Sequence, residues 1–232
     1  MQYHLGRDNS TALYAAAILI FVCSVAKGPQ PGEYLAFRNG GDSGCLSLFI
    51  GIRSILETCN SVGSVNVLAI HASDSQKLTS QPETQEQRIL SRSPSVASRE
   101  YSTQLEQIRH LLFATFPTGD SRHASYSQVL DRLCESYHAI FSHSPLLTES
   151  GIWQIVFGRL YTLPDDFLLE PQQQRPIALV FLAFFVVLLN VLDSVWFIHR
   201  WPQHIMEGIY QSLDCHYRRF VQWSMPQVLK GP

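Results

Sequence analysis

Apolar residues recur along most of this chain at steps of three and four, the spacing of one face of an α-helix. An apolar run at 12–23 follows polar residues that can cap a helix and precedes Gly28 and Pro29, which can end one. A second helix is predicted from Leu46 to about Asn60. Its apolar residues fall on one stripe: Leu48, Phe49, Ile52, Ile55 and Leu56.

The same period returns in the second half of the chain. Leu105, Ile108 and Leu111 predict a helix that ends before Pro117. A longer amphipathic helix follows and should end near residue 142, with this apolar stripe: Tyr126, Val129, Leu130, Leu133, Tyr137, Ile140 and Phe141. A last helix is predicted over 204–220. Because no βαβ alternation or hairpin signal interrupts the series, we predict an all-α fold, a helical bundle.

Residues 71–102 break this pattern, because they are rich in Ser, Gln, Thr and Glu and nearly free of aromatic residues. Such a composition cannot bury enough apolar surface to offset the entropy lost on ordering, which predicts a disordered linker. The apolar patch at 62–70 just before it fits either a short helix or a strand. The predicted organisation is therefore an N-terminal part of one helical domain at 1–70, a linker at 71–102, and the C-terminal part of the same domain at 103–232.

The most hydrophobic stretch, IALVFLAFFVVLL, occupies 177–189. It is shorter than the ~20 residues that span a bilayer, and the polar residues Asn190 and Asp193 follow it closely. We interpret it as a core helix that is apolar on all sides. Extended to 198 it reaches membrane length, so a transmembrane helix is the alternative interpretation.

The N-terminal apolar run also has two interpretations. Arg7 precedes it and small residues follow at 24–26, which is the outline of a secretory signal. Asp8 offsets the charge of Arg7, however, and this favours a buried helix. With the stretch described above, the run supports an alternative for the whole chain, a small membrane protein with helices near 12–26 and 177–198.

Composition then narrows the classes of function. Charged residues make up 16% of the chain and its net charge is −2, whereas nucleic-acid-binding domains carry clustered Lys and Arg. We therefore expect no direct, specific DNA binding. The nine histidines and five cysteines show no zinc-ligand spacing, and no catalytic constellation occurs. The chain is thus not predicted to be an enzyme or to hold a metal or cofactor, and its cysteines are predicted to be buried free thiols.

Aromatic residues are concentrated over 181–201. Core packing is one explanation, and an apolar pocket for a sterol or another lipid is the other. Residues three and four apart share a helix face, so Phe181, Phe185 and Leu188 are candidate pocket residues. Trp196 and Trp201, which follow that helix, complete the candidate set.

Several segments resemble the C-terminal signature of fungal binuclear-zinc-cluster transcription factors, most of all the sterol-uptake-control regulators: RPIALVFLAFFVVLL, VWFIHRWPQHIMEGIYQSLD and YRRFVQWSMPQ. ALYAAAILIFVCSVAKGP, LSLFIGIRSILE and LPDDFL are similar to earlier segments of that family. The family's six-cysteine zinc cluster and the opening helices of its regulatory domain have no counterpart here, which predicts a truncated product. Position 45, usually Trp in the family, is Cys45.

The resemblance implies a regulatory domain that controls transcription by RNA polymerase II and senses a sterol or another lipid through an apolar pocket. It implies a location in the nucleus, with shuttling to the cytoplasm. A homodimer or transcriptional co-regulators are the partners that it suggests, and a membrane is not among them.

Overall fold

The computed structural model describes residues 7–40, 44–61, 98–141, 149–160 and 162–229. The predicted all-α class is confirmed, because these ranges contain helices and no β-sheet. In chain order the helices are α1 (Arg7–Val25), α2 (Gly44–Ser61), α3 (Ser98–Thr115), α4 (Ser121–Phe141), α5 (Glu149–Leu160), α6 (Asp165–Leu169), α7 (Pro176–Asn190), α8 (Trp201–Ser212), α9 (Cys215–Val221) and α10 (Ser224–Leu229).

Helix α7 is the centre of the bundle. Pro176 is its first residue, a position that suits the fixed φ and missing N–H of proline. Helices α4, α8, α9 and α10 all pack against it. The predicted core helix is confirmed, since side chains on every side of α7 are buried: Ile177, Ala178, Leu179, Val180, Phe181, Ala183, Phe184, Val186, Val187, Leu188 and Leu189.

Helices α3 and α4 pack against each other, and the stripe predicted for α4 forms its buried face. Helix α3 begins at Ser98, so the predicted linker at 71–102 was placed too far along the chain at its C-terminal end. Tyr101 explains the difference, because its buried ring packs against Tyr137 and Phe141 at centroid distances of 5.4 and 5.9 Å. The rest of that linker and the patch at 62–70 lie outside the described residues.

Helix α1 packs on α2 through Tyr14, Ile52 and Leu56, and its other side faces solvent. Exposed apolar and thiol side chains cover that side, among them Leu13, Leu19, Ile20 and Cys23. The prediction of a buried N-terminal helix is therefore wrong for this face. A run that is apolar all round does not indicate which side meets water. The prediction of buried thiols is wrong for Cys23 and for Cys215, which is also exposed.

Side-chain contacts attach the end of α1 and the segment after it to α8. Trp201 Nε1 donates a hydrogen bond to the backbone oxygen of Val25 at 2.9 Å. The ring of Tyr34 stacks on that of His204 with their centroids 4.8 Å apart. Tyr34 also lies directly against Gly208, where a Cβ would overlap its ring. Glycine at this position is therefore what allows the two elements to approach.

Two tyrosines of α4 bury their hydroxyl groups in hydrogen bonds. Tyr137 Oη donates to the backbone oxygen of Phe184 on α7 at 2.8 Å, and Tyr126 Oη donates to Glu170 Oε2 at 2.9 Å. Burial raises the pKa of both phenols above the ordinary value of 10.0, and in Tyr126 the hydrogen bond to the carboxylate raises the pKa further.

We predict that Gly208→Ala destabilises the fold by about 1–3 kcal/mol, because the new methyl group has to displace Tyr34. Urea unfolding measures the change in free energy. Gly51→Ala on α2, where nothing lies within 4 Å of the added Cβ, is the matched control. It should stabilise the chain by up to about 1 kcal/mol through helix propensity. Equal stability of the two variants would contradict the packing of Tyr34.

We also predict that the chain loses stability as the pH rises above about 10. The folded state keeps the protons of Tyr126 and Tyr137 at a pH where the unfolded chain has released them. The stabilisation is therefore complete below the unfolded pKa and decreases above it. Unfolding free energies between about pH 8 and pH 11 should fall less steeply in Tyr137→Phe, which should also cost about 0.5–1.5 kcal/mol at neutral pH. Parallel pH profiles would refute this.

Candidate functional site

An apolar cavity of about 130 Å³ lies beside α7. Helix α4 forms one wall of the cavity and α7 forms another, and side chains from α1, α2, α5, α6 and α8 complete its lining. Protein interiors are close-packed, and voids larger than a water molecule are few. This cavity is therefore the feature of the described residues that most resembles a binding site.

Helical spacing explains which residues of α4 and α7 face the cavity. Steps of three and four place residues on one side of a helix. From α7 the lining takes Phe181, Leu182, Phe185, Val186, Leu188 and Leu189, and from α4 it takes Val129, Arg132, Leu133 and Ser136. The ring of Phe184, on the other side of α7, stacks on Trp223 with centroids 5.5 Å apart. One side of α7 therefore faces the cavity while another is packed against helices.

Three of the predicted pocket residues, Phe181, Phe185 and Leu188, line this cavity together. Trp196 and Trp201 do not. Trp196 is 72% exposed, because α7 ends at Asn190 and the turns that follow carry its ring away from that helix face. Trp201 is buried, and its indole instead donates a hydrogen bond to the backbone of α1. The cavity therefore brings together three of the five predicted residues, and a ligand-binding role for them stays a prediction.

The lining also contains residues that the sequence did not single out. Val129 and Leu133 were predicted to be buried on the stripe of α4. Their spacing does not show whether a buried side chain packs against other residues or borders a cavity. Arg132 and Ser136 stand at the edge of the same stripe, where a polar residue is expected to face solvent. Their spacing from Val129, three and seven residues, is the one signal that could have placed them on this face.

The polar groups of the cavity are few. Ser136 Oγ donates to the backbone oxygen of Arg132 at 2.8 Å, which uses its proton within the helix. Cys45 Sγ lies 3.9 Å from Ser24 Oγ. Burial raises the pKa of the Cys45 thiol above its ordinary value of 9.0, so the thiol is neutral at pH 7. Among the described residues, no acceptor binds the buried Nε of Arg132.

The chemistry of this lining suits the binding of an apolar molecule. In the ranges that the structure describes, no three His, Cys, Asp or Glu side chains form a group that could hold a metal ion. No helix of those ranges combines the length and the apolar character needed to cross a membrane.

The chain matches no protein-family model, no curated protein and no solved structure.

We predict that Val129→Phe, which fills the cavity, changes the free energy of unfolding by less than about 1 kcal/mol, since the added atoms enter empty space. Val221→Phe is the matched control, because Val221 is fully buried and does not line the cavity. It should cost about 1–3 kcal/mol through overpacking. Urea unfolding measures both, and an equal loss in the two variants would show that no usable space exists beside Val129.

Proposed function

We propose that this chain is the ligand-sensing regulatory domain of a transcription factor of the fungal zinc-cluster class, and that its cavity receives an apolar ligand. The observation that carries the ligand-binding part is the cavity itself. It lies in the core of the bundle and is lined almost wholly by apolar side chains, including Phe181, Phe185 and Leu188. Convergent apolar walls with a few polar groups are typical of small-molecule sites.

The regulatory part of the proposal is supported by where the resembling segments lie. The segments similar to sterol-uptake-control regulators form α1, α2 and α6 to α10. Helices α1, α2, α7 and α8 each contribute side chains to the cavity. A domain of this kind would act in the nucleus or shuttle to it, with a second copy or transcriptional co-regulators as partners, and would leave DNA recognition to another part of the complex.

The volume of the cavity bears on which lipid it takes. About 130 Å³ is close to the ~150 Å³ of a cavity that holds one benzene ring, and is below the ~300–1,000 Å³ of sites for drug-sized molecules. A short hydrocarbon chain or a single ring fits as the walls stand. A sterol requires the walls to move outward, and Leu182 and Phe185, which are only partly buried, are the side chains of α7 best placed to do so.

One observation favours the second candidate function, that of a small membrane protein with helices near 12–26 and 177–198. The exposed side of α1 carries Leu13, Leu19 and Ile20, an apolar surface that could meet lipid. The other segment fits this candidate poorly, because 177–189 is enclosed by α4 and α8 to α10. Carbonate extraction of the expressed chain distinguishes the two candidates, since only a spanning protein stays in the washed membrane pellet.

We predict that apolar ligands raise the thermal midpoint of the chain. A ligand that binds only the folded state stabilises it by about 2.7 kcal/mol at a hundred times its Kd, and each kcal/mol corresponds to roughly 2–4 °C in a chain of this size. A series of ligands of increasing size, from 1-octanol to a sterol, should show the largest ligand that the cavity accepts, because larger ones no longer shift the midpoint.

Val129→Phe should lose the shift while remaining folded, and Gly51→Ala should keep it. If no member of the series shifts the midpoint, and mass spectrometry of the purified chain finds no bound lipid, the cavity is only a packing defect.

A further inference from the structure

Arg132 is the charged side chain of an otherwise uncharged lining. It shares its face of α4 with Val129, Leu133 and Ser136, which border the same space. A guanidinium group keeps its proton at every pH at which a protein is folded. The lining of the apolar cavity beside α7 therefore includes one partly buried side chain that carries a permanent positive charge.

Other arginines of the bundle have acidic partners. Arg109 lies 3.5 Å from Asp131, and Arg122 lies 3.0 Å from Asp120. In the ranges that the structure describes, Arg132 has no such partner, and its Nε is buried without a hydrogen-bond acceptor. Asp131, the acid next to Arg132 in the chain, is directed to Arg109 instead.

Arg132 is partly buried, and its Nε is enclosed. Taking part of a cation out of water without a counter-charge is costly, and the cost is reduced when an anion accepts its hydrogen bonds. A carboxylate does this best, because its two oxygens match the fork of a guanidinium group. We propose that the ligand of this cavity is an amphipathic carboxylate, with its acid group on Arg132 and its apolar body against Phe181, Phe185 and Leu188. This rests on the proposed ligand-binding function and specifies its ligand class.

The size of the cavity limits the apolar body to a medium-length alkyl chain or a single ring, since about 130 Å³ is benzene-sized space. A sterol offers a neutral hydroxyl group, which accepts a weaker hydrogen bond and leaves the charge of Arg132 without compensation. Charge and volume thus both favour a medium-chain fatty acid or an aryl-substituted short acid over a sterol.

Isothermal titration of the full chain with three probes of equal tail length tests this proposal. Octanoate should bind at least about tenfold more tightly than 1-octanol, because charge-assisted hydrogen bonds are stronger than neutral ones. Octyltrimethylammonium, with the opposite charge, should bind more weakly than either. Octanol that binds as tightly as octanoate would overturn the carboxylate proposal and leave the apolar-ligand function standing. If none of the three binds, both proposals fail.

Two variants of α4 identify the residue responsible. Arg132→Met should reduce the preference for octanoate over octanol to less than about twofold while octanol still binds, which shows that the cavity is intact. Its thermal midpoint should not fall, because a partly buried charge without a counter-charge has been removed. Arg122→Met, at an exposed and paired arginine of the same helix, should keep the full preference. A preference that survives in Arg132→Met would refute the role of Arg132.

Discussion

The fold depends on one constraint, which is that α7 has no polar side to present to water. Its 15 residues run from Pro176 to Asn190, and the side chains between them are apolar. Each large side chain there gains about 1.5–3 kcal/mol when it leaves water, so the gain is realised only if other helices enclose α7 completely. Helices α8 to α10 cover part of its surface and α4 another part. Tyr137 fixes the position of α4 on α7, because its hydroxyl group donates a hydrogen bond to a backbone oxygen of α7.

Enclosing a helix from every side leaves a gap where the surrounding elements do not meet, and here the gap is the cavity between α4, α7 and the α1–α2 pair. The ring of Phe21 on α1 packs against the main core and also against both smaller clusters around α2. It also lines the cavity. A molecule in the cavity would therefore touch the side chain that joins the N-terminal helices to the bundle, which is a physical route from occupancy to the position of α1 and α2.

The sequence predicts those elements whose apolar residues repeat with a clear period or without interruption. The stripe of α4 and the core run of α7 belong to this group. The start of α3 was missed because Tyr101 is stabilised by Tyr137 and Phe141, which lie far away in the sequence. The exposed side of α1 was missed for a different reason, since an apolar helix has no preferred face until its neighbours are known.

The residues of the candidate site also fall into those that the sequence predicts and those that it does not. Phe181, Phe185 and Leu188 were predictable because they share one helix and its geometry fixes their common face. Trp196 does not join them at the cavity, because that geometry ends at Asn190. Arg132 was overlooked because a charged residue beside an apolar stripe ordinarily faces water, and only the packing of distant helices around it buries its Nε.

The four tryptophans of the chain lie in contrasting surroundings, which makes them intrinsic fluorescence probes. Trp196, with 72% of its surface in solvent, is open to water and to a diffusing quencher, whereas Trp201 is 2% exposed. The indole of Trp201 is held by the backbone oxygen of Val25, so its emission reports whether the end of α1 is attached to α8. In a variant that keeps Trp201 as its one tryptophan, fluorescence would therefore follow loss of that attachment without any added label.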